Sequence, residues 1–354
     1  MEKANRDLRM HSRDILTLGS TEVFDLLAGK EAEILSIIEQ AYQAHGRGES
    51  SLPHSTFLRF PEDPANRIIA LPAYLGGEVS CAGVKWISSF PGNIKHGTDR
   101  ASAVLILNEM ATGRPKAILE GSIISARRTA ASAALAARTL HHEKSRVAGI
   151  IGCGPINFEV VRFLLVACPD IRELVVYDLD LERSEAFGDR CRQQFAGLSV
   201  TVASTQEDVL QTAPLICFAT TASKPHIFDS GVFLPGATIL HVSLRDLSPQ
   251  VILHGDNVVD DLDHVCRAET SIHLTEKQTG NRKFVRCSIA DILNGITVPR
   301  QTENGLVIFS PFGLGILDIA VGEYIFEQAL KCGAGAVVPD FLPDSWARVA
   351  ELST

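Results

Sequence analysis

Several charged side chains stand where their neighbours are apolar or turn-forming. Lys85 lies inside the strand-like run CAGVKWISSFPGN, where an ammonium is costly unless it has a partner or a task. Burial favours the neutral amine, which suits a general acid/base; the alternative is a lysine whose stem packs while its head reaches water. Asp246, in HVSLRDLSP, follows the apolar run Thr238 to Val242 on its carboxyl side. A carboxylate at that edge can accept a proton or hold an amine, or it can simply close an Asx turn ahead of Pro249. Arg128, beside Arg127 in SARRTAASA, and Arg59, in FLRFP, carry the planar fork that grips a carboxylate through two bonds. A lone arginine is more often a solvated surface residue.

A glycine turn adds a second chemistry. In RVAGIIGCGPINFEVVRFLLVACPDIRELVVYD, a strand-length run (Val147 to Ile151) meets Gly152-Cys153-Gly154, then a helix-length stretch (Pro155 to Cys168), then a second apolar run closed by Asp178. Parallel strands need a crossover of this length. Gly152 permits the sharp bend, and Gly154 lets backbone N–H groups approach a pyrophosphate. The helix opening at Pro155 and Ile156 offers that anion its positive end. Asp178, about 24 residues after Gly154, is spaced to accept the ribose hydroxyls of an adenosine. The reading is a dinucleotide site, and the acid favours NAD over NADP. Asn157 departs from the fingerprint by replacing its third small residue, where helix and strand usually pack tightly.

Residues from about 14 to 47 have the spacing of short helices. Ser55 to Phe60, Ile68 to Tyr74, Cys81 to Ser88 and Ala103 to Asn108 are strand-like and separated by turn residues, which marks a first domain with an antiparallel or mixed sheet. Ser122 to His141 is an alanine-rich helix. After the βαβ unit, helices at Leu181 to Phe195 and after Ser204 alternate with strands at Leu198, Leu215, Thr238 and Val258, the pattern of a doubly wound parallel sheet. A last strand at Val307 leads into GLGILDIAVGEYIFEQALK, an amphipathic helix expected to return to the first domain. The expected architecture is α/β. A Rossmann domain spans 128–315, and a discontinuous α+β domain comprises 1–127 completed by 316–354.

Composition limits the partners. The 354 residues are 45% hydrophobic and carry a formal charge of −9, which disfavours nucleic acid and anionic membranes. No run of about 18 apolar residues is present, so no transmembrane span is expected. The N-terminal stretch mixes acids and bases without an apolar core, and a cytoplasmic location is expected. Eight cysteines are scattered without a CxxC pair, and the histidines lack zinc-ligand spacing, so neither a disulfide framework nor a metal is expected. An anionic substrate would need a local arginine cluster.

GVKWISSFPGN, TGRPKAILEGSIISARRTAASA, GCGPIN, VSLRDLSP and SPFGLGILD together resemble the ornithine cyclodeaminase/mu-crystallin family over nearly the whole chain. The resemblance implies a homodimer acting on a small amino acid, with NAD as cofactor and with the discontinuous domain serving substrate binding and dimerisation. It places Lys85 and Asp246 at the catalytic lysine and aspartate, and Arg128 at the substrate carboxylate clamp. Thr220, Thr221, Ser243, Leu244 and Gly313 fall at further cofactor contacts. Ile156-Asn157 departs from the Gln-Ala usual in cyclodeaminases. FLRFP, SLRDLSP and FSPFGLGILD instead look like the branch that makes 2,3-diaminopropionate for siderophores and peptide antibiotics. That branch oxidises N-(1-amino-1-carboxy-2-ethyl)-glutamate and hydrolyses the imine, with Lys85 and Asp246 sharing the proton transfers. A cyclodeaminase, an imine reductase or alanine dehydrogenase, and a non-catalytic binding protein remain alternatives.

Overall fold

The computed structural model describes residues 10–141 and 145–344; residues 1–9 and 345–354, both expected in the first domain, lie outside them. The chain divides into two compact units. One comprises the described parts of Met1–Lys30, Gly48–Ser125 and Gly315–Thr354, the other those of Glu31–Arg47 and Ala126–Leu314.

The first unit is built on a mixed sheet. Its strands run in the order Ala336–Val338, Ile15–Leu18, Pro115–Glu120, Ala101–Asn108, Cys81–Ser89 and Asp63–Leu75, and both Ser50–Ser51 and Thr56–Phe60 pair with Asp63–Leu75. Every neighbouring pair is antiparallel except Ile15–Leu18 with Pro115–Glu120. Two of these strands differ from the sequence reading. Ile15–Leu18 falls where helices are expected; four residues are too few to display a period, and pairing on both sides decides their state. Pro115 reads as a breaker but opens a strand, a position where its missing N–H is tolerated.

The helix Gly315–Cys332 packs across one face of this sheet. On that face the register places Leu71, Lys85, Leu105 and Leu119 in one cross-strand row. The helix comes so close that a Cβ added at Gly322 would lie 2.3 Å from the Leu105 side chain. This approach sets Asp318, in the helix's first turn, against Lys85.

The second unit carries an eight-stranded, wholly parallel sheet in the order Ser199–Val202, Glu173–Tyr177, Val147–Ile151, Leu215–Phe218, Thr238–His241, Val307–Ser310, Asp256–Val259, Val285–Ser288. Leu215–Phe218, Thr238–His241 and Val307–Ser310 are buried throughout and lack alternation, as expected when helices cover both faces. The order turns back between Val147–Ile151 and Leu215–Phe218, the switch point at whose carboxyl edge ligands bind in such sheets. The helix Glu31–Gly46, expected with the first domain, belongs here. Gln43 Nε2 donates to the Leu293 carbonyl and Asn294 Nδ2 to the Gln43 carbonyl, both at 3.1 Å. Its apolar stripe announces burial but not against what. Thr205, not Ser204, caps the helix Gln206–Thr212 through a reciprocal bond with Asp208. No described helix is long and apolar enough to cross a membrane.

Candidate active site

Lys85 is buried at the middle of its strand. Its Nζ donates to Asp318 Oδ2 at 2.8 Å and to Ser125 Oγ at 3.0 Å. The bland alternative, an ammonium head in water, is thereby set aside. Asp318 is itself fully buried, so each charge meets the desolvation of the other. Sequence reasoning missed Asp318, although an acid inside the apolar run GILDIAVG is the kind of signal that exposes a buried partner.

At the switch point the chain leaves Ile151 through Gly152 with φ +91, a conformation that L side chains rarely adopt. A Cβ there would also lie 2.5 Å from the Ala219 carbonyl oxygen. At Gly154, the residue before the helix Pro155–Ala167, a Cβ would meet nothing within 4 Å, and no side chain caps the first-turn N–H groups. An open cradle of uncapped donors fits a pyrophosphate. Asn157, the departure from the fingerprint, is accommodated by hydrogen bonding: its Nδ2 donates to the carbonyls of Ile151 at 3.0 Å and Gly152 at 2.7 Å, pinning the turn. Asp178 closes the next strand and accepts from Cys153 N–H at 2.8 Å, which fixes its carboxylate beside the turn. Pro155 and Ile156 form the first helical positions.

Asp246 is buried, and its carboxylate is held from several sides. Thr220 Oγ1, just past the strand Leu215–Phe218, donates to Oδ1 at 2.5 Å. Ser243 Oγ donates to Oδ2, and His241 Nε2 lies 3.2 Å from the same oxygen. Burial alone would raise the carboxyl's pKa, but the bonds from His241, Ser243 and Thr220 overcome it and hold the group at about 2. These donors favour the ionised side chain. Leu244, in the same turn, sits at φ +68, a strained conformation for a branched residue. Arg245 clamps the facing loop through the carbonyls of Ala268 (2.6 Å) and Glu269 (3.2 Å), both of which also have positive φ. His241, an imidazole inside the buried strand TILH, is a second residue that the sequence reading passed over.

The twin arginines separate in role. Arg127 is buried against Glu31 Oε1 at 3.2 Å and Glu159 Oε2 at 2.8 Å, a structural ion-pair frame. Arg128 lies against Gly313, where an added Cβ would sit 2.7 Å from Nη1. The Gly313 N–H is bound at 2.7 Å by the buried Asp260. Arg59 is exposed on the first unit's sheet, with its guanidinium 5.5 Å from the Phe57 ring centroid. Thr221 is exposed. Among the described residues, no group of three or more histidines, cysteines or acids could hold a metal ion.

Residues 20–333 match the ornithine cyclodeaminase/mu-crystallin family. The chain belongs to that family. It is 28% identical over 336 residues to N-((2S)-2-amino-2-carboxyethyl)-L-glutamate dehydrogenase of Staphylococcus aureus, a match that takes in 92% of this chain and 99% of that protein. Among solved structures, an archaeal alanine dehydrogenase dimer with bound NAD superposes with a TM-score of 0.82 at 26% identity, covering 92% of this chain and 99% of the other. The Δ1-pyrroline-2-carboxylate reductase of Thermococcus litoralis, solved with NADH and L-proline, shares the fold with a TM-score of 0.85 at 24% identity, covering 91% and 99%. This family member is an NAD-dependent oxidoreductase with a Rossmann-type α/β fold.

Proposed function

We propose that the enzyme oxidises N-(1-amino-1-carboxy-2-ethyl)-glutamate with NAD and hydrolyses the resulting imine to 2-oxoglutarate and L-2,3-diaminopropionate. The observation that carries this reading is the end-to-end similarity to the Staphylococcus aureus dehydrogenase. Use of the diaminopropionate in a siderophore or peptide antibiotic is part of the proposal.

Bound NAD would supply the hydride acceptor. The residues proposed to hold it are Gly152, Gly154, Pro155 and Ile156 at the pyrophosphate, Asn157 behind the turn, Asp178 at the ribose, and Thr220, Thr221, Ser243, Leu244 and Gly313 beyond. The rest of the chemistry is proton handling. The secondary amine must lose a proton before its Cα–H bond can break, and the departing diaminopropionate nitrogen must regain one. Lys85 is the proposed exchanger for both, because an amine can hold or release a proton while Asp318 keeps a counter-charge 2.8 Å away. Asp246, ionised throughout the working range, is proposed to favour positive charge as it develops on the substrate nitrogen. Arg128 is the proposed fork for the α-carboxylate and Arg59 a contact for another.

A homodimer is part of the proposal. The sheet face opposite the helix Gly315–Cys332 carries Leu58, Tyr74 and Trp86, each more than a third exposed, and apolar area of this kind commonly marks an interface. The archaeal alanine dehydrogenase, itself a dimer, also favours a second reading in which alanine is the substrate. The test supplies NAD with the N-substituted glutamate, alanine, proline and ornithine in turn and follows reduced-nicotinamide absorbance. Reduction with the first alone is expected; reduction with alanine alone would replace the proposal by the second reading.

A further inference from the structure

We infer that Ser184 is a positioning residue for cofactor choice: its buried hydroxyl fixes the backbone of Asp178, so that the carboxylate meets the adenosine ribose and cannot turn aside for a 2′-phosphate. The role rests on the proposed contact between Asp178 and that ribose.

Asp178, just past the strand Glu173–Tyr177, is held at three points. Its own N–H donates to Ser184 Oγ at 2.8 Å, a group presented by the helix Leu181–Gln194. Its Oδ2 accepts the Cys153 N–H of the glycine turn at 2.8 Å, and its Oδ1 accepts the Asp180 N–H at 3.1 Å. Each carboxylate oxygen still has a lone pair to offer, one for each ribose hydroxyl. Turning the carboxylate away breaks both of its backbone bonds at once.

Ser184 does more than its place in a helix requires. A helical serine often bonds back to the carbonyl four residues earlier, and Ser184 Oγ does donate to the Asp180 carbonyl at 3.3 Å. That habit leaves the bond from the Asp178 N–H unexplained. Ser184 is 1% exposed, so its oxygen occupies a place that solvent barely reaches. Without it the Asp178 N–H loses its partner there, a cost that the backbone escapes only by shifting and carrying the carboxylate with it.

The consequence is selectivity. A 2′-phosphate puts negative charge where the ribose hydroxyl would donate, and repulsion between like charges is strongest at short range. A carboxylate held in place keeps that repulsion, whereas one free to swing sheds it. Preference for NAD thus depends on the brace as well as on the acid.

The experiment is calorimetric titration of the full-length protein with NAD and with NADP. The unmodified protein should favour NAD. Ser184→Ala should narrow the ratio of the two affinities on the order of 2- to 5-fold, the scale of one lost hydrogen bond, and by no more than Asp178→Ala does. Ser184→Cys, which fills the space but accepts hydrogen bonds weakly, is the second variant and should narrow the ratio likewise. In an Asp178→Ala background Ser184→Ala should leave the ratio alone, because no carboxylate remains to be held. Equal weakening of both dinucleotides, an unchanged ratio, or the same narrowing in both backgrounds overturns the inference while Asp178 keeps its role. If Asp178→Ala itself leaves the ratio unchanged, the ribose assignment falls and the inference with it.

Discussion

Lys85 and Asp246 are both charged groups buried beside a strand, yet their surroundings differ in kind. Lys85, in the first unit, meets the opposite full charge of Asp318 and the Ser125 hydroxyl. Asp246, in the second, is balanced by two hydroxyls and an imidazole, and its carboxyl is held at about 2. An ion pair can tolerate the passage of a proton because either member can carry it. A carboxylate fixed by donors cannot, since protonation would cost it those bonds. The difference is the reason for proposing proton exchange at the lysine and a standing negative charge at the aspartate.

The largest expected effect falls on turnover. Lys85→Ala should lower kcat on the order of 10²-fold or more, with NAD affinity nearly unchanged because the glycine turn lies in the other unit. A collapse of NAD binding would make the lysine structural. Asp318→Asn strands a buried ammonium and should cost roughly 3–5 kcal/mol of stability, read as a lower denaturant midpoint. An unchanged midpoint would mean that the pair is looser than described.

Asp246→Asn should reduce kcat on the order of 10- to 100-fold at every pH without moving an inflection near neutrality. Its folded pKa lies below the ordinary 3.8, so the unmodified carboxyl stabilises the fold above pH 4 and loses that contribution as pH falls toward 2. The contribution is roughly 2 kcal/mol, and the variant should lack this acid-limb loss. An inflection that moves with the substitution would return Asp246 to proton exchange. The smallest effect concerns the cofactor: Asp178→Ala should narrow the preference for NAD over NADP by about 1 kcal/mol, the repulsion between its carboxylate and a 2′-phosphate. Titration with both dinucleotides reads it, and tighter NADP binding by the unmodified protein would contradict the assignment.

These differences also mark where the sequence was legible. The GCG turn, its flanking runs and Asp178 are local, and their spacing carries the Rossmann unit. Lys85 was conspicuous for the same reason, a charge in an apolar run. Its partner Asp318 lies 233 positions away, and only the fold brings it within 2.8 Å. Asp246 was visible as a position, but its protonation behaviour depends on Thr220, Ser243 and His241, which converge through turns the sequence does not dictate. Ile15–Leu18 and the helix Glu31–Gly46 were misplaced because pairing partners and packing neighbours, not periodicity, decide where they go.

The central claim is that hydride loss and hydrolysis occur at one carbon in every cycle. Product analysis with NAD and the N-substituted glutamate should therefore give one reduced nicotinamide, one 2-oxoglutarate and one diaminopropionate per turnover. Proline and ammonia from ornithine, with no net reduced NAD, would contradict it and leave the fold and cofactor standing.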